Sequence, residues 1–282
     1  MRPVLALLLS CVLVSGCAED SSDERPTATP QTSVAPVTEP AADLHVECAG
    51  DGSPTVVLIA GLNTSGDTFR DLRSRLSGTA RTCFYDRAGI GDSPPLPDEA
   101  PDPSPGSAAA DLRAALAAEG LEPPYVVLGW SYGGLVAQAW ATEFPEDLAG
   151  VVLEDPSVRE QFTAAALADP SIDWAEGGRS VDRDALVDEL ARIDLGDLPV
   201  VVLSQDARGG WVAPWYRSHD RLARVSTDGV HAVGLGSGHA MHEDVPRLVA
   251  AAVEAVWSAA SAGTGLPACR TVFRGERVRC RV

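Results

Sequence analysis

Lysine is absent from this chain. All 22 cationic side chains are arginines, set against 40 Asp and Glu, so the formal net charge is −18 at pH 7. In a sequence so rich in Ala, Gly and Pro, the missing lysine reflects a GC-rich coding composition and says little about mechanism. The shortage of positive charge says more. Residues 1–43 hold six acids and two arginines, which leaves about −14 on residues 44–282. A body this acidic repels phosphate backbones, which argues against nucleic acid as a partner. There is no Cys-x-x-Cys pair and no cluster of histidines, which argues against a zinc site, and no other metal is expected. There is no internal repeat. No apolar run reaches the roughly 20 residues that a permanent bilayer span needs, so a polytopic membrane protein is excluded. With 45% hydrophobic and 22% charged residues over 282 positions, a wholly disordered chain is excluded too. A chain of roughly 250–300 residues buries about three quarters of its surface, enough for one sizeable core.

The apolar run that does exist stands at the start. Val4 to Val14 follows the weakly basic Met1-Arg2-Pro3 and ends in Leu13-Val14-Ser15-Gly16-Cys17. Its length reads as a secretory signal over 1–16. The ending resembles a bacterial lipobox, in which cleavage precedes a cysteine that then carries lipid; Cys17 is the expected anchor. An ordinary signal peptide cut near Ala18 is the alternative. Residues 17–43, rich in Pro, Thr and Ser, have nothing to build a core with and read as a disordered tether. The expected location is extracytoplasmic, with the membrane a partner through the lipid alone.

Export suits the cysteines. Cys11 leaves with the signal and Cys17 takes lipid, which leaves Cys48, Cys83, Cys269 and Cys280. An even number in an exported chain points to disulfides, and four allow three pairings. Cys48 and Cys83 lie in two strand-like runs, and Cys269 and Cys280 bracket a short tail over 261–282. Cys48–Cys83 with Cys269–Cys280 is the favoured set.

From residue 44 onward, β-like runs alternate with amphipathic stretches. Strands are expected at 44–48, 55–60, 81–85, 125–129, 149–154, 199–204 and 230–235. Helices are expected near 67–76, 107–119, 132–143, 212–223 and 245–260. Thr55–Ala60 and Pro199–Leu203 are nearly continuous apolar runs, the mark of strands buried on both faces. The alternation implies an α/β fold, a mostly parallel sheet flanked by helices. Residues 157–197 break the rhythm and read as a small, mostly helical cap.

One motif carries chemistry. A Val-rich strand runs into Gly129-Trp130-Ser131-Tyr132-Gly133-Gly134, and a helix follows. G-x-S-x-G at a strand-to-helix turn is a nucleophile elbow. Ser131 is the candidate nucleophile; a tight glycine turn with an incidental serine is the bland alternative. Of the five histidines, His239 lies in a glycine-rich loop after the last core strand, where open α/β sheets place their sites. It is the expected base, with His242 as competitor. His219 is read as part of a surface helix.

Together with this elbow and histidine loop, Val57–Leu62 and Tyr85-Asp86-Arg87-Ala88-Gly89-Ile90-Gly91-Asp92-Ser93 resemble the α/β-hydrolase-fold serine hydrolases over residues 44–260. Ala60 stands where many members have histidine. The resemblance implies an oxyanion hole from the backbone N–H groups of Leu62 and Tyr132. It implies a triad acid at a strand end: Asp155 is the preferred candidate, Asp206 the second, and Glu154 or another acid the remaining alternative. Asp86-Arg87 is read as a structural ion pair. In the cap, Phe162, Leu167 and Trp174 are candidates for lining a pocket or for packing within the cap. The expected activity is hydrolysis of a small-molecule carboxylic ester through an acyl-enzyme, without cofactor. Peptidase or amidase, thioesterase and perhydrolase chemistry are the alternatives on the same residues, and a non-catalytic binding module is the alternative from another class.

Overall fold

The computed structural model describes residues 43–281. The expected signal over 1–16, Cys17 and the linker over 17–43, Asp43 apart, lie outside the described residues. Among the described residues no helix is long and apolar enough to cross a membrane.

The apolar runs pair side by side. The strands are β1 (Val46–Ala49), β2 (Thr55–Ile59), β3 (Thr82–Tyr85), β4 (Tyr125–Trp130), β5 (Leu148–Glu154), β6 (Ala175–Glu176), β7 (Arg179–Ser180), β8 (Val200–Ser204), β9 (Gly229–Gly234) and β10 (Val278–Cys280). Eight of them form one sheet in the order β1-β3-β2-β4-β5-β8-β9-β10. The interior pairs are parallel; β1 on β3 and β10 on β9 are antiparallel. The helices are α1 (Arg70–Leu76), α2 (Pro105–Ala118), α3 (Tyr132–Glu143), α4 (Glu160–Thr163), α5 (Arg183–Glu189), α6 (Val212–Ala223), α7 (Met241–Asp244), α8 (Pro246–Ala262) and α9 (Cys269–Val272).

Why the central strands carry no polar face follows from this layering. Along β2, Val57 and Ile59 join the core under α2, α3 and α6, while Val56 and Leu58 join the core under α1 and α8. All four are fully buried. Each such side chain contributes about 1.5–3 kcal/mol by leaving water, so alternation would cost stability here. The helices begin and end where local chemistry directs. Ser104 caps α2 through a reciprocal pair with Ser107, with Pro105 in the first turn, which starts the helix two residues before the expected 107. Gly263, at φ 61°, ends α8.

Cys48 and Cys83 face each other in the β1–β3 register and are disulfide-bonded, their Cα atoms 4.1 Å apart. Cys269 and Cys280 are bonded likewise and tie β10 to α9, Cα atoms 6.0 Å apart. The tail is therefore an ordered edge strand.

The segment 157–197 is not the mostly helical cap that its composition predicts. It holds two short helices, α4 and α5, and the two-residue β6–β7 hairpin. Gly177 and Gly178, both at positive φ, turn the chain there, and Pro170 blocks a helix through the Ala-rich stretch before it. Phe162 packs on Trp174 at 4.5 Å between ring centres, so these two residues stack on each other within the cap.

Candidate active site

The site starts from backbone geometry. β4 ends at Trp130, α3 begins at Tyr132, and Ser131 between them sits at φ 54°, ψ −119°. A non-glycine residue in that region is strained and persists only where its surroundings hold it. Here the Ser131 N–H donates to the Glu154 carbonyl at 3.1 Å, and its own carbonyl accepts the N–H groups of Gly134 and Ser157, each at 2.9 Å. The flanking glycines are steric requirements. A Cβ on Gly129 would lie 2.4 Å from the Gly133 carbonyl oxygen, and one on Gly133 would lie 2.1 Å from that of Ile59. The absence of side chains thus lets the start of α3 press against the end of β2.

His239 is carried by the loop between β9 and α7. The Gly238 N–H donates to Asp244 at 2.6 Å, and the His239 carbonyl accepts the Trp130 indole N–H at 2.8 Å. The imidazole is thereby set with Nε2 2.8 Å from Ser131 Oγ and Nδ1 2.6 Å from Asp155 Oδ2. Asp155 follows β5, at φ 37°. Its carboxylate is fully buried. Oδ1 accepts the Gln205 backbone N–H at 3.2 Å and the Trp215 indole N–H at 3.0 Å, and Oδ2 also accepts the Gln205 amide at 2.8 Å. Burial works to raise the Asp155 pKa, but the hydrogen bond from His239, the nearby His219 and His239 imidazoles and the Trp215 bond outweigh it, so it lies below the usual carboxylate value. Burial likewise works to lower His239, and the hydrogen bond and charge of Asp155, with Glu154 behind, raise it instead. Asp206 is elsewhere: its carboxylate accepts the Gly236 N–H at 3.1 Å and holds the base of the histidine loop.

Leu62 follows the end of β2 and Tyr132 follows Ser131 at the end of β4, two strands that pair in the sheet. Tyr132 is the first residue of α3, where a helix leaves its own N–H groups without acceptors. No acceptor for the Leu62 N–H is found among the described residues. The turn that carries Leu62 is held by Arg87, whose Nη1 donates to the Ala60 carbonyl at 2.8 Å and Nη2 to that of Gly61 at 2.6 Å. The expected Asp86–Arg87 ion pair does not form. Arg87 pairs with Glu176 of the cap hairpin at 2.9 Å, and Asp86 accepts from the Gly66 and Asp92 N–H groups and lies 3.2 Å from His45. Adjacent residues in extended chain point to opposite sides, so neighbours in sequence were poor partners here.

The remaining histidines are structural in placement. His242 is buried, with Nδ1 2.8 Å from Glu154 and Nε2 2.8 Å from Thr68. Its ring lies 4.8 Å from that of Trp130. His219 is fully buried, not on a surface, with Nδ1 2.6 Å from Ser204 Oγ; His231 Nε2 is 2.8 Å from the same oxygen. Burial pushes His219 down, and pushes His231 down to about 3. Among the described residues, His45, Asp86 and Asp92 bring three ligand atoms within 4.8 Å of one another. Asp86 accepts two backbone N–H groups there, contacts that hold the loop. Glu154, the minor candidate for the acid, accepts the His242 N–H at 2.7 Å instead, and Glu176, Gln205 and Trp215 are not marked by the sequence. None belongs to a motif, and only the fold brings them to the site.

Geometry of this kind, on this sheet, defines a class. The sequence model of the alpha/beta hydrolase fold family matches residues 54–192, and the chain has the alpha/beta hydrolase fold. The protein YqjL of Bacillus subtilis, described as uncharacterized, is 27% identical over 221 residues, 75% of this chain and 86% of YqjL. The pimeloyl-(acyl-carrier protein) methyl ester esterase of Chromobacterium violaceum is 35% identical over 134 residues, 46% of this chain and 49% of that enzyme. The chain thus spans about half the length of that relative. Among solved structures, a thermophilic esterase from Thermogutta terrifontis superposes with a TM-score of 0.56 at 22% identity, covering 74% of this chain and 91% of the esterase. The esterase EaEST of Exiguobacterium antarcticum gives 0.58 at 17% identity, covering 76% of this chain and 95% of EaEST. At such identities the superpositions speak for the fold alone.

Proposed function

We propose that the protein is a serine hydrolase that cleaves small-molecule carboxylic esters. The observation that carries this reading is the unbroken chain from Ser131 Oγ through His239 to the buried Asp155, at 2.8 and 2.6 Å. Neutral His239 takes the Ser131 proton as Oγ attacks the ester carbonyl. Asp155 keeps the proton on Nδ1, so that Nε2 is the free base, and stabilises the imidazolium that forms. The N–H groups of Leu62 and Tyr132 receive the oxyanion, each a contribution of a few kcal/mol to the barrier. The imidazolium protonates the leaving alcohol. Water, activated by the same His239, then releases the acid and restores Ser131. No step requires a cofactor.

The esterase among the partial sequence relatives supports esters over amides as the substrate class. Amide and thioester hydrolysis use the same residues and belong in the same screen. Cleavage of p-nitrophenyl acetate and butyrate by wild type and not by Ser131→Ala is the test; turnover by a clean Ser131→Ala sample contradicts it. The lipobox-like Leu13–Cys17 supports a lipid-anchored, extracytoplasmic enzyme on a tether. The two disulfides agree with an oxidising compartment.

A further inference from the structure

The cap hairpin meets the turn that carries Leu62 through the buried Arg87–Glu176 pair and through hydrogen bonds to Asn63. A peptide bond is planar and trans, so the Gly61 carbonyl and the Leu62 N–H belong to one rigid plane and point in opposite directions. Fixing the carbonyl aims the N–H. Arg87 Nη2 holds that carbonyl at 2.6 Å, and Arg87 Nη1 holds the preceding one, of Ala60, at 2.8 Å. On the other side of Leu62, the Asn63 N–H donates to Glu176 Oε2 at 2.9 Å, which fixes the Leu62–Asn63 plane. Glu176 Oε1 meanwhile takes Arg87 Nε at 2.9 Å. The carboxylate and guanidinium therefore grip both peptides that flank Leu62, and they grip each other.

Two further contacts bind the same turn to the hairpin. The Asn63 amide donates to the Ala175 carbonyl at 2.7 Å and its oxygen accepts the Gly177 N–H at 3.1 Å. Asn63 sits at φ 51°, a conformation that these bonds help to hold. The Arg87 guanidinium also lies 5.4 Å from the centre of the Tyr132 ring, so it meets the Tyr132 side chain as well as the carbonyl of the Gly61–Leu62 peptide. Arg87 and Glu176 are both buried, and neither touches Ser131 or His239 by any hydrogen bond among the described residues.

We infer that Glu176 of the cap, acting through Arg87 and Asn63, is a positioning residue that sets and polarises the Leu62 N–H for the oxyanion. The cap is thereby part of the catalytic apparatus and not only a cover. A cation on the Gly61 carbonyl draws electron density through the amide and strengthens the opposed N–H as a donor. This inference rests on the serine-hydrolase reading above.

The test uses the full chain, because the hairpin is inserted in the fold. Glu176→Ala risks leaving Arg87 as an unpaired buried charge, so Glu176→Gln is the first variant. Gln has one acceptor oxygen where Glu176 uses two, so either the Arg87 or the Asn63 bond is lost. Asn63→Gly is the second variant: it keeps the positive φ and deletes the side-chain bonds to the hairpin. Removing a whole oxyanion donor costs about 10²–10³ in rate, and a misaimed one costs less. The expected result is a kcat on p-nitrophenyl butyrate lower by about tenfold or more in Glu176→Gln and by a smaller factor in Asn63→Gly, with KM within about threefold. A trifluoromethyl ketone gives a second readout. Ser131 Oγ adds to its carbonyl, the serine proton passes to His239, and the hemiketal oxygen sits as an anion in the hole. Its affinity should fall by the same factor as kcat. The pH midpoint of the acid limb should stay at the wild-type value, because His239 and Asp155 are untouched; a disturbed His239–Asp155 pair would move it. Unchanged kcat and ketone affinity in both variants overturn the inference, as does a rise in KM alone. If wild type neither cleaves the ester nor binds the ketone, the serine-hydrolase reading fails and this inference falls with it.

Discussion

Asp155→Asn probes the acid at the level of single hydrogen bonds. Each carboxylate oxygen receives two donors: Gln205 N–H and Trp215 Nε1–H at Oδ1, His239 Nδ1–H and Gln205 Nε2–H at Oδ2. An asparagine has one acceptor and one donor end. If its NH2 faces His239, Nδ1 must become the acceptor, the ring proton moves to Nε2, and the base is blocked toward Ser131. If the NH2 faces Trp215 instead, two donors confront it with no acceptor, at a cost of about 1–3 kcal/mol. Satisfying Trp215 therefore selects the inactive tautomer. The equivalent change in the worked serine-protease case cost about 10⁴-fold. The expected loss in kcat here is at least about a hundredfold, or ~2.7 kcal/mol in the barrier. The assay is p-nitrophenyl butyrate turnover at 25 °C, with a thermal melt to show that the variant is folded. Asp206→Asn in parallel should lose less than about tenfold, since that carboxylate holds only the loop base. A folded Asp155→Asn enzyme within tenfold of wild type, beside a crippled Asp206→Asn, would refute the assignment of the acid and the geometric argument with it.

Two further outcomes follow from the same structure. The imidazolium form of His239 is favoured by Asp155, so its pKa is raised and more of the base is protonated at a given pH. The acid limb of kcat/KM should therefore have its midpoint above the ordinary imidazole value of about 6.5 and move to lower pH in the residual activity of Asp155→Asn; a wild-type midpoint below that value contradicts the electrostatics. Cys17→Ser should shift the protein from the membrane fraction to the soluble one and abolish palmitate incorporation, and labelling that persists in the variant contradicts the lipobox reading.

Much of this architecture can be read in the residues because burial on both sheet faces leaves a strong trace. Val56–Ile59 and Val200–Leu203 are apolar at every position since helices cover both sides. The elbow is legible for a steric reason: only glycine fits at 129 and 133. His239 is legible from its place after the last core strand. What escaped lies where polarity misleads. His219 has a polar side chain on an amphipathic helix, which reads as surface; its burial depends on Ser204 and His231 arriving from other strands. Arg87 and Asp86 read as a pair because opposite charges are adjacent, yet each is satisfied from a different element. Glu176 is one acid among many in an Ala- and Asp-rich segment, and nothing local marks it as the counter-ion of a residue 89 positions earlier. The choice between Asp155 and Asp206 could not be made from strand ends alone, because both end strands on the same edge of the site.

The most direct measurement is covalent. A fluorophosphonate reacts with a serine only where a base activates it and an oxyanion hole receives the charge. Incubating the full chain with a biotinylated fluorophosphonate, digesting it and mapping the adduct by mass spectrometry should place one label on Ser131. Ser131→Ala should take none, and His239→Ala should label far more slowly. An unlabelled wild-type protein that is folded by thermal melt, or a label carried by a serine other than Ser131, would contradict the account.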